Sequence, residues 1–482
     1  MIELLFDQPH EECGIVGIYL PQSIASLTQA AEFSLFGLIA LQHRGQEAAG
    51  IAVSDGKEFS YFKGQGLLSQ VFDNNNLHKL TGRLALGHTR YSTTGASSTR
   101  NIQPYIIETA HGPLALAHNG NITNAEQLRQ RLLQKGIGLT SSSDSEILLM
   151  QVAGATGQNW VERIANAMTE WQGAYSLVIS SRSALYALRD PWGFRPLSVG
   201  KLPNGGYVVA SETCALDMLG VSEWSEVAPG ELVRISQHGI TRQSVCPPAS
   251  TSALCTFEQI YFSRSDSIWD GRSINAVRER FGAQLFKEAP VAADVVLGVP
   301  ATSIPAAIGY AHASGIPYTS GLIRNNYIGR SFIQPSDELR KIAIKLKFNV
   351  LPSSLAGKRV ILVDDSIVRG NTSKALVQLI REAGAAEVHL RIACPPIQHP
   401  CFMGVDMGAA DELISHKLSP AEICQFVGAD SLCFLSMAGM MSAIGSTNGY
   451  CNACFTGQYP VAIPQNGKDR FEQTGIGGLE DD

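Results

Sequence analysis

VILVDDSIVRGNTS, Val360 to Ser373, sets four apolar residues ahead of two adjacent acids and a glycine-containing loop rich in hydroxyls. Val360 to Val363 read as a buried strand, Asp364 and Asp365 fall at its carboxyl end, and SKALVQLIREAGA beyond the loop has helical periodicity. Strand, loop and helix in that order are the unit of a parallel sheet, whose loops at the strand carboxyl ends carry ligands. Main-chain N–H groups with Ser366, Thr372 and Ser373 can cradle a phosphate at the helix N-terminus. Adjacent carboxylates can hold vicinal hydroxyls or a hydrated Mg²⁺. The bland alternative is an ordinary turn with solvated acids, but paired acids rarely follow a buried strand without a use.

Working outward, DVVLGVP (from Asp294) reads as another apolar strand and PAAIGYAHASG as the helix after it, so the second half is α/β. Between these units lies a basic, interrupted stretch, Ile323 to Asn349, in which Arg324, Arg330, Arg340, Lys345 and Lys347 can clamp a pyrophosphate as a closing lid; a solvated surface loop is the competing reading. The first half differs. From Cys13 to about Gln243, short apolar strands such as GIVGIYL, AAGIAVS and LALAHNGNI alternate with Gly, Asn and Ser turns. Two helical patterns, IASLTQAAEFSLFGLIALQHR and DSEILLMQVAGATG, interrupt them, giving a layered α+β arrangement. The polar stretch Gln237 to Cys255, with Pro247-Pro248, is the candidate linker, and the segment from Ser419 reads as an appended Gly- and Cys-rich unit with a polar tail.

The 482 residues suffice for several domains, and the composition, 45% hydrophobic and 17% charged, is that of a globular protein. A net charge of −6 gives no field for nucleic acid, no apolar run is long enough for a membrane span, and the N-terminus lacks a secretory pattern. A cytoplasmic protein is expected, in which ten cysteines are buried, catalytic or metal-binding and not disulfides.

HEECGIVGIYL, His10 to Leu20, places one of those cysteines beside an acidic pair near the start. If residues 1 to 12 are removed, Cys13 gains its own α-amine, whose pKa of about 8 suits a general base for the thiol. A small buried cysteine in a first strand is the commoner fate. The rest of the half decides between them: HRGQEAAGIA, GHTRYSTTG, AHNGNITN and SSSDSE follow in one order, with RDPWGFRPL and ASET further on. With CGIVGIY, these motifs resemble the glutaminase domain of N-terminal-nucleophile (class II) amidotransferases. The resemblance implies a four-layer α+β fold with antiparallel sheets between helices. In it Cys13 is the nucleophile, Asn119 and Gly120 form the oxyanion hole, Arg90 pairs with the α-carboxylate of glutamine and Asp144 takes its α-ammonium.

VILVDDSIVRGNTS in turn resembles the phosphoribosylpyrophosphate (PRPP) motif of type I phosphoribosyltransferases. That implies Asp364 and Asp365 on ribose and Mg²⁺, and Ser366, Arg369, Gly370, Asn371, Thr372 and Ser373 on phosphate. Lys347 and Arg330 would join them from the basic stretch. GVPATS, Gly298 to Ser303, stands where that family has its pyrophosphate loop, with Thr302 the best hydroxyl for Mg²⁺, although Ala301 occupies a position often acidic in relatives. The two halves joined, with CTFEQIYFSRSDS at the start of the second, resemble the amidophosphoribosyltransferase family. The implied chemistry is glutamine hydrolysis at Cys13 and internal passage of ammonia to PRPP. The products are 5-phosphoribosylamine, glutamate and pyrophosphate, in the first committed step of purine synthesis. The organisation expected is a propeptide over 1–12, a glutaminase domain over 13–245, a phosphoribosyltransferase domain over 255–418 and a C-terminal segment over 419–482.

Glucosamine-6-phosphate synthase and asparagine synthetase share the first half but lack VDDSIVRG, and ligand-sensing regulators with a PRPP motif would not need Cys13, Arg90, Asn119 and Asp144 together. NGYCNACFTG supplies Cys451 and Cys454 as a CxxC pair, which needs two further ligands from elsewhere. One subgroup of the family combines an acidic propeptide with a [4Fe–4S] cluster, and its motif positions here are Cys255, Cys401, Cys451 and Cys454. Cys394 is the rival for Cys401, zinc the rival metal, and reduced core cysteines the third reading. The cluster is expected away from both active sites, in a structural or oxygen-sensing role. The resemblance further implies a homotetramer and inhibition by AMP, GMP and ADP.

Overall fold

The computed structural model describes residues 13–23, 26–91, 99–325, 347–407, 409–446 and 448–463. The expected propeptide, part of GHTRYSTTG, the polar tail, and Arg330, Arg340 and Lys345 of the basic stretch lie outside the described residues.

In the first half, two antiparallel sheets lie face to face. One has the strand order Trp224–Glu226, Ser198–Lys201, Tyr207–Ala210, Gly14–Tyr19, Leu84–Arg90, Ala48–Ser54, Phe59–Gln65. The other runs Gly239–Ser244, Glu231–Ser236, Leu185–Arg189, Gly173–Ser180, Leu114–Ile122, Tyr105–Ile107. Ile15, Leu86 and Val209 of the first sheet interdigitate with Ala117, Val178 and Val233 of the second. The outer face of the first sheet is covered by the helices Gln29–Ala40 and Thr213–Met218, that of the second by Ala125–Gln134, Asp144–Gly154 and Trp160–Met168. Strands covered on both faces need no polar alternation, which is why GIVGIY is buried at all six positions. This is the four-layer architecture expected.

In the second half, Val295–Gly298, Arg359–Asp364, Glu387–Ile392 and Ser431–Phe434 form a parallel sheet in that order. The helices Ile304–Ser314 and Asn371–Glu382 follow its first two strands. Two expectations change. The candidate linker is partly structured: Gly239–Ser244 is an edge strand, polar because most of it faces solvent, and Leu254–Cys255 pairs in parallel with Tyr450–Cys451. The segment from Ser419 does not stand apart. Its strand Ser431–Phe434 completes the parallel sheet, and its apolar residues Ile423, Val427, Phe434 and Met440 belong to the same core as Val360 to Val363. No described helix is long and apolar enough to cross a membrane.

Candidate active sites

Cys13 immediately precedes the Gly14–Tyr19 strand, and that strand's neighbour ends at Arg90, with Gly14 facing Thr89 across the ladder. The pairing therefore brings Cys13 and Arg90 to the same end of the sheet, where both are almost fully buried. The Cys13 thiol points to the Tyr91 carbonyl at 3.7 Å. Asn119 and Gly120 lie in the Leu114–Ile122 strand of the facing sheet. Gly120 has φ +144° and a Cβ there would stand 2.1 Å from the Ala174 carbonyl oxygen, so only glycine fits. The Asn119 side chain is 1% exposed, and among the described residues neither its amide nitrogen nor its oxygen has a hydrogen-bond partner. A buried amide left open costs free energy unless a ligand completes it, which is the condition of an oxyanion donor before substrate arrives.

Asp144 opens the helix Asp144–Gly154 behind its N-cap Ser143. Its Oδ2 accepts from the Ile122 main-chain N–H at 3.1 Å, and its Oδ1 accepts from the Ser145 hydroxyl at 3.3 Å and faces His118 Nδ1 at 3.6 Å. Burial pushes this carboxyl up, but the His118 charge and these hydrogen bonds outweigh it and hold it below the ordinary carboxylate range. Behind it, Gln103 accepts from His118 N at 2.7 Å and donates to Ser145 Oγ at 3.1 Å, while His88 donates to the His118 carbonyl at 3.2 Å. Burial pushes His88 down to about 3, so it stays neutral at the pH of the cell. Sequence reasoning passed over His118, although it directly precedes Asn119 in AHNGN.

It also passed over a buried charge cluster. Arg44 donates from Nε to the Cys13 carbonyl at 3.3 Å and from its Nη atoms to Glu212 and Glu258. Arg195 stands 3.7 Å from Glu258, and His43 bonds Glu212 at 2.7 Å. Arg44, Arg195, Glu212 and Glu258 stand in the quoted motifs HRGQ, GFRPL, ASET and TFEQ, but nothing in those motifs tells that they meet.

In the second half, Asp364 ends the Arg359–Asp364 strand, with Asp365 and Ser366 just beyond it and all three nearly fully buried. The loop Gly298 to Ser303 leaves the adjacent strand and meets them: Thr302 Oγ1 donates to Asp365 Oδ2, and the Ser303 hydroxyl stands 3.1 Å from Asp364 Oδ1 and 3.2 Å from Asp365 Oδ2. Burial pushes Asp365 up from the usual carboxylate range. Gly370, at φ +83°, turns the chain into the helix Asn371–Glu382, whose first turn holds Thr372 and Ser373. Arg369 pairs with Glu412. Of the basic stretch, Arg324 ends the strand Leu322–Arg324, and Lys347 lies over the Phe348 ring at 5.3 Å. The structure thus gathers Thr302, Asp364, Asp365, Ser366 and the start of the helix at one end of the parallel sheet.

Cys255 and Cys451 are register partners in the short parallel ribbon, and Cys454 sits in the following turn of helix. Burial pushes the Cys454 thiol well up, and the neighbouring Cys255, Cys451, Cys401 and Cys394 push it in the same direction, so all five lie within electrostatic reach. Cys394 is fully buried beside Asp364 and Asp365, and its thiol donates to the Pro395 carbonyl at 3.3 Å. Among the described residues, no group of three or more His, Cys, Asp or Glu side chains is drawn together as a metal-binding set. The expectation that these cysteines lie far from both active sites is not met at Cys401. Its sulfur accepts from Met403 N at 3.3 Å, and the next residue, Phe402, accepts through its carbonyl from Asn121 Nδ2 at 2.9 Å, two positions beyond Asn119.

Comparison with known proteins finds two family models, a glutamine amidotransferase domain over residues 88–218 and a phosphoribosyl transferase domain over residues 265–400. The amidophosphoribosyltransferase of Synechococcus elongatus is 49% identical over 465 residues, 95% of this chain and 93% of the relative. That of Bacillus subtilis is 45% identical over 463 residues, 95% of this chain and 96% of the relative. Among solved structures, glutamine PRPP amidotransferase from B. subtilis complexed with ADP and GMP superposes with a TM-score of 0.88 at 44% identity, covering 94% of this chain and 98% of the other. A structure described as the allosteric regulatory enzyme of purine biosynthesis gives 0.89 at 44% identity, covering 94% and 97%.

Proposed function

Because this chain belongs to the amidophosphoribosyltransferase family, we propose that its two sites divide the reaction between Cys13 and the Asp364–Asp365 pair. The chain is a glutamine-dependent amidophosphoribosyltransferase of purine biosynthesis. In the first half, the Cys13 thiolate attacks the side-chain amide carbon of glutamine. The amide nitrogen leaves as ammonia once protonated, and water then cleaves the thioester to glutamate. Arg90 and Asp144 hold the amino-acid end of glutamine, while Asn119 Nδ2 and Gly120 N–H take the negative oxygen. In the second half, ammonia bonds to C1 of PRPP and pyrophosphate departs. Ser366 and Arg369 to Ser373 hold the 5′-phosphate, Asp364 and Asp365 the ribose hydroxyls, and Lys347 with Arg330 the pyrophosphate. The observation that carries this assignment is the buried Asn119 amide, without a hydrogen-bond partner among the described residues, in the half that also buries Cys13.

Phosphoribosyltransferase domains commonly use Mg²⁺. Thr302, Asp364 and Asp365 offer the hard oxygen donors it prefers, and the ion would supply charge neutralisation for the departing pyrophosphate. We assign the chain further to the subgroup with a propeptide over 1–12 and a [4Fe–4S] cluster on Cys255, Cys401, Cys451 and Cys454. The support is that Cys255 and Cys451 are register partners and that Cys401 and Cys454 share their neighbourhood, a four-thiol set of the kind such a cluster takes. The cluster would tie the 255 and 451 strands together. A homotetramer inhibited by AMP, GMP or ADP completes the reading; the ADP and GMP bound to the B. subtilis enzyme support the nucleotide part. The domains in this reading are a glutaminase domain over 13–245 and a phosphoribosyltransferase domain from 255, whose sheet and core take in the segment after Ser419.

The test is the intact mass of anaerobically purified protein, native and denatured. A denatured chain beginning at Cys13, with native mass in excess by one [4Fe–4S] cluster, supports both assignments. A chain retaining residues 1 to 12 with full glutamine-dependent activity would overturn the role of the Cys13 amine.

A further inference from the structure

The segment Phe402–Gly404 belongs to the second half, yet it lies on the strand assigned to the oxyanion of the first. Asn121 Nδ2 donates to the Phe402 carbonyl at 2.9 Å. Arg195 donates to the Met403 carbonyl from Nε at 3.1 Å and from Nη2 at 2.7 Å, and Arg195 is fully buried. Gly404, at φ +105°, approaches so closely that a Cβ on it would stand 3.0 Å from the Gly120 carbonyl carbon and 3.2 Å from Gly120 Cα. Three consecutive residues therefore touch Asn121, Arg195 and Gly120 in turn. Two of those contacts fall at Gly120 and just beyond it, on its Cα and carbonyl and on the Asn121 side chain, and the third reaches Glu258, which in turn binds the arginine that holds the Cys13 carbonyl.

The strand Leu114–Ile122 pairs with Gly173–Ser180 from Ala115 to Ile122, which fixes its register, and Gly120, at φ +144°, departs within it from ordinary strand geometry. A glycine in that conformation has no side chain to anchor it. An oxyanion donor must point to where charge develops, and a misplacement of about 1 Å costs as much as 100-fold.

We propose that Phe402–Gly404 is a positioning strap for the oxyanion hole, so that one half of the chain sets the geometry of the other half's hydrolytic site. The proposal rests on the assignment of Asn119 and Gly120 as oxyanion donors. Asn121, Phe402, Met403 and Gly404 position; they do not touch substrate. The strap acts on the step in which the oxyanion forms: Arg90 stands on another strand, and Asp144, although it accepts from Ile122 N–H, opens its own helix and is held there by Ser145 as well, so the grip on the amino-acid end of glutamine is kept.

The experiment compares Asn121→Ala, Asn121→Asp and Asn119→Ala in the full-length holoenzyme, with glutamine and with ammonium as nitrogen donor. For Asn121→Ala, glutamine-dependent kcat is expected to fall about tenfold, with KM for glutamine, ammonia-dependent rate and thermal midpoint unchanged. The isosteric Asn121→Asp sets an acceptor against the Phe402 carbonyl and is expected to fall further on the same readout. Asn119→Ala tests the underlying assignment, with an expected loss of about 100-fold in glutamine-dependent kcat. Full activity in Asn119→Ala removes the assignment itself. Loss there, with both Asn121 variants within twofold of wild type, overturns the strap alone. So does a parallel fall of both activities and the thermal midpoint in both Asn121 variants, since that marks a purely structural contact.

Discussion

Arg44 and Glu258, 214 residues apart, meet in a two-pronged ion pair, Nη1 to Oε2 at 3.0 Å and Nη2 to Oε1 at 2.7 Å, with both side chains fully buried. Arg44 also carries the Cys13 carbonyl and Glu212, so a charge from the second half completes the shell around the start of the first. Such a pair earns little net stability when formed, because desolvation offsets attraction, but removing one partner leaves the other buried and uncompensated. Glu258→Ala is therefore expected to lose about 3–5 kcal/mol in denaturant unfolding. A loss under about 1 kcal/mol would mean that Glu212 alone suffices for Arg44.

The same cluster sets an acid limit. Burial alone would raise Glu212, but the His43 and Arg44 charges hold it far below the carboxylate range; Arg44 and Arg195 do likewise for Glu258. A carboxyl depressed in the folded state contributes stability that is complete above its unfolded pKa, about 4.3, and drains as pH falls toward the folded value. The stability gap between wild type and Glu212→Gln should hold steady from pH 7 to about 5 and shrink only at lower pH. A gap already closing between pH 7 and 6 would contradict a carboxyl held below its ordinary range.

How much of this was legible in the sequence differs between the sites. The acid pair was readable because a short apolar run followed by Asp364-Asp365 admits few structures, whereas Thr302 was singled out only through the resemblance of GVPATS to a pyrophosphate loop. The glutaminase side chains were readable as ordered motifs. The partners of those residues were not. Arg44, Glu212 and Glu258 come from three distant segments, and local sequence carries no sign of which charges will meet. The contact of Phe402 with Asn121 spans 281 positions and uses a main-chain carbonyl, which leaves no trace in residue type. The Ser431–Phe434 strand was missed because four residues at a sheet edge give too little pattern to set apart from a tail.

Asp144 predicts a separation of binding from chemistry. Replacing its carboxylate by an amide removes the charge assigned to the glutamine ammonium but keeps the shape. For Asp144→Asn, glutamine-dependent kcat/KM should fall about 100-fold, mostly through KM, with ammonia-dependent synthesis intact. Since the carboxyl lies below its ordinary range, wild-type KM for glutamine should stay flat from pH 7 down to about 5. A KM rising tenfold over that interval would contradict the assignment.

Asp365 predicts the opposite separation. Its carboxylate takes hydroxyl hydrogens from Thr302, Ser303 and Ser366, so the two oxygens are oriented before any ligand arrives. Asp365→Asn should reduce PRPP-dependent synthesis at least about 100-fold with either nitrogen donor, and raise the Mg²⁺ concentration needed for half-maximal rate. Glutamine hydrolysis without PRPP should persist. If only the glutamine-dependent reaction suffered, Asp365 would be acting between the sites and not on the ribose.

The cysteines give the last prediction. Cys451 lies in a two-residue ribbon with Cys255, where the Cys451 carbonyl accepts from the Thr256 hydroxyl at 2.9 Å and the Gly449 carbonyl from Leu254 N at 3.0 Å. Burial pushes the Cys451 thiol up to about 12, a cost that a bound metal removes by taking the thiolate. Metal binding at such a site is folding free energy. Cys451→Ser should therefore lose iron and acid-labile sulfide together and lower the thermal midpoint by several degrees, an effect that chelation of the wild type under mild oxidation should reproduce. Loss of zinc without sulfide would replace the cluster by a single ion. An unchanged metal content and midpoint would leave these as reduced core cysteines.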